Sequence, residues 1–320
     1  MSKELITIIM PVYNCERYIS EAMDSILNQT YNHFELLVID DCSTDKTLEI
    51  IESYTDCRIV VVRNKRNRGI VGCLNESLKI ARGSFIARMD GDDVCERSRL
   101  EKQLNFLLEN PAVGMVGCNG YLIDKYGKTI DIIEKPLDHD SIEFEMLFGC
   151  QFIHPAILIR SEIIKKLKYD PEMIHAEDYE LWFRVIDQTK VANLSQHLIK
   201  IRRHGENTTH KITQKIYDTN MKIFKIFFNA VNLDVTYEDL FIHCSLVLYY
   251  WSFYLDSADK VMRMELWLNK LSTCEALAVL FKSSDIEAKV KRIWREVTLE
   301  NPNFDGQQQV GLFNSSKTLV

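Results

Sequence analysis

Several signatures that would fix a function at once are missing from the 320 residues. No GxGxxG follows the first apolar run and no GxxxxGK[ST] occurs anywhere, which disfavours dinucleotide oxidoreductases and P-loop nucleotidases. No GxSxG is present, so an α/β-hydrolase elbow is disfavoured too. CxxC pairs are absent: the nine cysteines are odd in number and scattered from Cys15 to Cys274. That fits neither a disulfide framework nor a zinc ribbon, and it predicts reduced thiols in a cytosol. A basic excess is lacking as well. Lys and Arg number 39 against 46 Asp and Glu, and the net charge of −7 argues against a nucleic-acid partner. A nucleotide remains compatible, because a cation rather than bulk protein charge can neutralise a diphosphate. No long hydrophobic run exists either. The longest, Phe241–Leu255, is interrupted by His243 and Cys244 and is shorter than the ~20 residues that cross a bilayer; it reads as a buried or interface helix. Near the amino terminus Pro11 and Asn14 break the apolar stretch that a signal peptide needs. The expected location is cytoplasmic.

What is present is an ordered series of elements. Leu5–Met10, Leu36–Asp40, Arg58–Asn64 and Phe85–Asp90 are strand-like runs rich in Val and Ile. Their near-continuous apolarity predicts strands covered on both faces, as in parallel sheets. Between them apolar residues recur at helical spacing: Tyr18, Ala22 and Ile26; Leu48 and Ile51 after the start signal Ser43-Thr44-Asp45; and Leu74, Leu78 and Ala81. Such alternation predicts an open α/β sheet with ligands beyond the carboxyl ends of its strands. A helix over 97–108, a hairpin over 113–133 turning near Tyr126-Gly127, a short strand at Ala156–Ile159, a helix from Glu177-Asp178 and a strand at His197–His204 follow. After about Thr213 the periodicity is helical over 215–231, 237–280 and 286–297. The reading is therefore a domain over 1–212, a helical region over 213–300 and a flexible tail over 301–320.

The polar clusters fall at the strand ends: Tyr13-Asn14, Asp40-Asp41 and Asp90-Gly91-Asp92-Asp93. Three carboxylates in four residues repel one another, and a divalent cation with oxygen ligands offsets that. The alternative is an acidic turn that caps the helix after it. Asp40 and Asp41 are not needed for capping, since Ser43, Thr44 or Asp45 would serve. Glu177-Asp178 precedes an apolar helix face, where a carboxylate could take a proton from an attacking hydroxyl. His204 is either an exposed loop histidine or a metal or phosphate contact.

The segments 10–31 (MPVYNCERYISEAMDSILNQTY), 35–47 (ELLVIDDCSTDKT), 67–93 (NRGIVGCLNESLKIARGSFIARMDGDD), 176–185 (AEDYELWFRV) and 202–209 (RRHGENTT) together resemble the family 2 glycosyltransferases. The resemblance runs over roughly the first 210 residues. It implies a GT-A fold, a mixed sheet flanked by helices with a C-terminal helical extension, and inverting transfer from a UDP-sugar. It assigns Pro11, Tyr13, Asn14, Asp41 and Arg68 to the nucleotide pocket and Asp90 to the ribose, with Gly91 beside it. Asp92 and His204 would hold manganese or magnesium; Glu177 would lie by the donor and Asp178 would be the base. It further implies a glycan acceptor, lipid-linked in bacterial surface polysaccharide assembly. For the C-terminal helices the readings are an acceptor-side cover, a homodimer contact or docking at the inner face of the plasma membrane. The chain lacks the QxxRW signature of processive synthases, and Cys42 stands where the family usually has the glycine of DDGSTD. A sugar-nucleotide pyrophosphorylase and a noncatalytic nucleotide-sugar binder are the rival readings.

Overall fold

The computed structural model describes residues 4–204, 214–248, 257–281 and 286–300. The aromatic run 249–254, the loop 205–209 and the tail 301–320 lie outside the described residues. The chain divides into two compact units. The first holds the residues up to Ile142 together with Cys150–Ile212; the second holds Glu143–Gly149 and the described residues after Thr213.

In the first unit, β1 (Ile6–Val12) lies between parallel neighbours β2 (Phe34–Asp40) and β4 (Phe85–Arg88), and β3 (Ile59–Arg63) flanks β2. Every residue of β1, β2 and β4 is buried, whereas β3 at the edge is not. The pleat sorts the apolar residues. Leu36 and Val38 join a core with Ile19, Met23 and Ile26 of α1 (Ile19–Leu27) and Leu100, Leu104 and Leu107 of α4 (Arg99–Glu109). Leu37 and Ile39 point the other way, onto Cys73 of α3 (Gly69–Ile80). Each such leucine or isoleucine contributes roughly 1.5–3 kcal/mol when fully buried. Pro11 is tolerated inside β1 because pairing with β4 stops at Ile9 while pairing with β2 continues to Val12.

Beyond β4 the sheet becomes mixed. β8 (Leu158–Arg160) runs antiparallel to β4, and β6 (Val113–Ile123) antiparallel to β8. β9 (Lys190–Arg202) is parallel to β6, and β5 (Val94–Cys95) closes the edge antiparallel to β9. β7 (Thr129–Ile133) pairs with β6 as a hairpin. The spatial order is β3-β2-β1-β4-β8-β6-β9-β5. This is the mixed α/β sheet that the family resemblance implies, whereas the apolar runs alone mark only its parallel half. β5, the first half of β9, α5 (His139–Glu145) and α6 (Ser161–Leu167) are elements that the periodicity does not mark. α2 (Thr47–Glu52) and α7 (Glu177–Ile186) complete the unit.

The second unit contains α8 (Gln214–Ala230), α9 (Tyr237–Val247), α10 (Ala258–Ser272), α11 (Glu275–Leu280) and α12 (Ile286–Glu300). α9 starts on a capping box in which Thr236 and Asp239 satisfy each other's backbone N–H. Its core centres on His243, whose Nε2–H donates to the Leu147 carbonyl (2.8 Å) and whose Nδ1 accepts from Trp267 Nε1 (3.3 Å). The helical periodicity read over 237–280 is divided in the structure by a break between α10 and α11. There Ser272 and Thr273 both donate their hydroxyls to the Asn269 carbonyl, each at 2.9 Å, competing with the helical ladder without any Pro or Gly. Among the described residues no helix is long and apolar enough to cross a membrane.

Candidate active site

The parallel arrangement of β1, β2 and β4 brings Tyr13-Asn14, Asp40-Asp41 and the acidic turn to one edge of the sheet. The first two loops are stitched together. Asn14 N–H donates to Ser43 Oγ (3.1 Å), Thr44 N–H donates to Asn14 Oδ1 (2.8 Å), and Cys15 N–H donates to Thr47 Oγ1 (2.7 Å). Asn14 thus uses its side-chain oxygen within the scaffold, and Tyr13 is left half-exposed beside it. Asp41 is buried and serves the next loop: its carboxylate accepts from Arg68 N–H (2.9 Å), Gly69 N–H (2.9 Å) and Asn64 Nδ2 (2.7 Å). It holds the start of α3, where such a charge is favourable. The Arg68 side chain lies 3.5 Å from Glu76. Cys42 adopts a left-handed φ of +66°, which explains why a glycine is usual at that turn.

The acidic turn does not cap a helix. β5 intervenes, and α4 begins only at Arg99. Ligand oxygens of Asp90, Asp92 and Asp93 instead lie within 4.8 Å of one another. Gly91 is required by packing, since a Cβ there would approach Val12 Cγ1 to 2.8 Å and Cys15 Sγ to 3.3 Å. Asp90 is paired with the buried Arg88 guanidinium. Asp93 is 2% exposed, and burial together with the Asp90 and Asp92 charges pushes its carboxyl well above the usual range. Three oxygens converging with too little positive charge are what a hard dication would satisfy, so these residues fit one.

The pairing of β5 with β9, Val94 opposite Lys200 and Cys95 opposite Ile199, carries the end of β9 alongside this turn. Arg202 N–H donates to Asp93 Oδ1 (2.8 Å), its Nε to the Asp92 carbonyl (2.8 Å) and its Nη2 to Glu21 (2.5 Å). Two residues later His204 Nε2 lies 2.9 Å from Asp92 Oδ2, with the Tyr18 ring 5.0 Å from the imidazole. His204 is therefore joined to the turn and is not a solvated loop histidine.

Glu177 and Asp178 occupy the first turn of α7. Both keep raised carboxyl pKa values because protein atoms displace their water, and Glu177, next to the Asp178 charge, reaches about 7. Arg88 draws Asp178 back down while pairing with Asp90, so one buried guanidinium serves carboxylates from two distant stretches of sequence. Four residues around these carboxylates have no role assigned from the sequence: Arg88, His154, Tyr169 and Arg202. Arg88 and Arg202 lie within the segments that carry the resemblance, whereas His154 and Tyr169 lie in none of them.

The acidic turn thus follows β4, and the ED pair, with Glu177 buried and Asp178 partly buried, opens α7. The family model for glycosyl transferase family 2 matches residues 7–167. The chain belongs to glycosyl transferase family 2. It is similar to an uncharacterized glycosyltransferase of Haemophilus influenzae, 32% identical over 82% of this chain and 84% of that one. It is also 32% identical to the Escherichia coli UDP-Glc:alpha-D-GlcNAc-diphosphoundecaprenol beta-1,3-glucosyltransferase WfgD, over 61% of this chain and 75% of the relative. In fold it resembles S. aureus TarS, solved in complex with UDP-GlcNAc, with a TM-score of 0.62 at 20% identity across 92% of this chain and 90% of that one. This family 2 chain is thus a glycosyltransferase with a GT-A fold, related to enzymes of polysaccharide assembly.

Proposed function

We propose that the chain transfers a hexose or N-acetylhexosamine from a UDP-sugar to a hydroxyl of a glycan acceptor, with inversion at the anomeric carbon. Pro11, Tyr13, Asp41 and Arg68 form the nucleobase end of the donor site, and Asp90 holds the ribose. Asp92 and His204 hold a divalent cation, manganese or magnesium, which when bound offsets the charge of the departing diphosphate. Asp178 takes the proton from the acceptor hydroxyl. That oxygen bonds to the anomeric carbon as the bond to UDP breaks, and the electron pair leaves with UDP. The observation that carries this reading is Arg88, which pairs with Asp90 of the acidic turn and acts electrostatically on Asp178, so donor and base residues belong to one charge cluster. A lipid-linked acceptor in bacterial surface polysaccharide synthesis is supported by what WfgD is named for, and it makes peripheral contact at the inner membrane face the expected setting.

The test is UDP release from a panel of UDP-sugars with manganese, with and without undecaprenyl-diphosphate-linked acceptor, for the wild type and Asp178→Asn. General-base catalysis is worth about 10²–10⁴-fold. Asp178→Asn is expected to lose at least about a hundredfold in turnover while UDP still raises the melting temperature in a manganese-dependent way. Near-wild-type turnover of that variant would refute the base assignment; a melting temperature indifferent to manganese would refute the metal site.

A further inference from the structure

Three groups stand behind Asp178 without a part in the reaction as described: the buried Tyr169 and the partly buried His154 and Asn75. His154 belongs to the one-turn 3-10 helix His154–Ala156, just before β8. Its backbone is pinned from the core, since Arg99 Nη1 donates to the Pro155 carbonyl (2.6 Å) and Gln103 Nε2 to the Ala156 carbonyl (2.7 Å). The Trp182 ring of α7 packs edge-on against the imidazole at 5.8 Å. One ring nitrogen, Nε2, lies 3.0 Å from the Tyr169 hydroxyl; the other, Nδ1, lies 3.9 Å from Asp178 Oδ2. Tyr169 is itself clamped, because Asn75 of α3 donates to its carbonyl (2.8 Å) and accepts from its N–H (3.0 Å).

We propose that His154 is a positioning residue for Asp178: the Tyr169 hydroxyl donates to Nε2, which leaves the proton on Nδ1 facing the carboxylate that receives the acceptor's proton. The inference rests on the reading of Asp178 as base. Its physical ground is the tautomer. If Nε2 carried the hydrogen, the lone pair of Nδ1 would face a carboxylate oxygen, and that repulsion disfavours the arrangement. With the hydrogen on Nδ1, the same geometry becomes attractive, and the orienting hydrogen bond on one nitrogen sets the state of the other. Burial and the nearby Arg88 keep the ring neutral, and burial keeps the Tyr169 hydroxyl protonated. At 3.9 Å the contact is longer than a hydrogen bond; catalytic contacts of this kind tighten in the Michaelis complex. Oδ1 of Asp178 accepts from Tyr179 N–H (2.8 Å). The two oxygens thus face different partners, Oδ1 the backbone of α7 and Oδ2 the imidazole, and the Nδ1 contact, once tightened, would orient the carboxylate.

Steady-state kinetics separate this from a purely structural role. His154→Ala and His154→Gln should lower kcat by about 10–100-fold, the scale of a misaimed catalytic group, with the donor KM changed less than about twofold. His154→Asn presents an amide N–H near the place of Nδ1 and should recover most of that loss. In an Asp178→Asn background, His154→Ala should add less than about a twofold loss, because the group it positions is gone. Equal behaviour of the Asn and Gln variants, a His154→Ala kcat within twofold of wild type, or the same fold loss with and without Asp178 would each overturn the proposal. Should the Ala variant not fold, the Asn–Gln pair decides alone. Wild-type turnover of Asp178→Asn by itself would instead bring down the base assignment, so the two failures are distinguishable.

Discussion

Glu177 is the residue whose replacement tests the electrostatics of the site most directly. Its side chain is 8% exposed, and its Oε2 has no hydrogen-bond partner among the described residues. Burial first, then the Asp178 charge, lift the carboxyl from 4.5 to about 7. In the unfolded chain both causes vanish. Between about pH 4.5 and 7 the folded protein therefore holds a proton that the unfolded chain has released, so this group's stabilising contribution is complete below that window and is lost as pH rises through it. The carboxyl's contribution changes by roughly 3 kcal/mol across the window at about 1.4 kcal/mol per pH unit. Gln has the same shape and does not ionise. Glu177→Gln should accordingly match the wild type near pH 4.5 and be more stable at pH 8, by roughly 6–12 °C in melting temperature for a unit of this size. Thermal unfolding of both proteins in matched buffers measures the gap. A gap that stays constant within about 2 °C from pH 4.5 to pH 8 would refute the argument, because it would mean that the buried carboxyl titrates as it does in the unfolded chain.

Two further substitutions probe the loops. Cys42→Gly relieves a left-handed residue at a cost in unfolded-chain entropy, and these oppose each other at about 1 kcal/mol each. Chemical denaturation should find the variant within about 1 kcal/mol of wild type, with UDP affinity retained; a loss above 2 kcal/mol would show that the thiol packs rather than strains. Gly91→Ala places a methyl 2.8 Å from Val12 Cγ1 and should cost about 1–3 kcal/mol. UDP titration should show weaker binding, because Asp90 and Asp92 move with the turn, and wild-type affinity would count against their role.

The parallel half of the fold is legible in the sequence because β1, β2 and β4 are buried on both faces and write themselves as unbroken apolar runs. The mixed half is less so. β5 is two residues long, too short for any periodicity, and its identity as a strand comes entirely from β9. The same holds for the site. Asp90, Asp92 and Asp178 stand out as acidic clusters at element ends, whereas His154 and Tyr169 are single residues outside any motif, and the partners of Arg202 are set by a pairing far along the chain. Asn14 and Asp41 were legible as polar strand-end residues, but not that their side chains tie loops together.

The pairing of β5 with β9 also has a consequence for biosynthesis. Among the described strands β9 is the only partner of β5, and its end and the residues just after it bring Arg202 and His204 to the acidic turn. During translation, Asp92 and Asp93 leave the ribosome long before the segment that anchors them. The parallel strands β1 to β4 all come from the amino-terminal part, yet the contacts of Arg202 and His204 with the turn cannot form until residue 204 has emerged. A nascent or truncated chain ending before β9 would carry the parallel strands with an unanchored acidic loop. Completion of the proposed site is thereby coupled to completion of the sheet, so chains released early should not gain transferase activity.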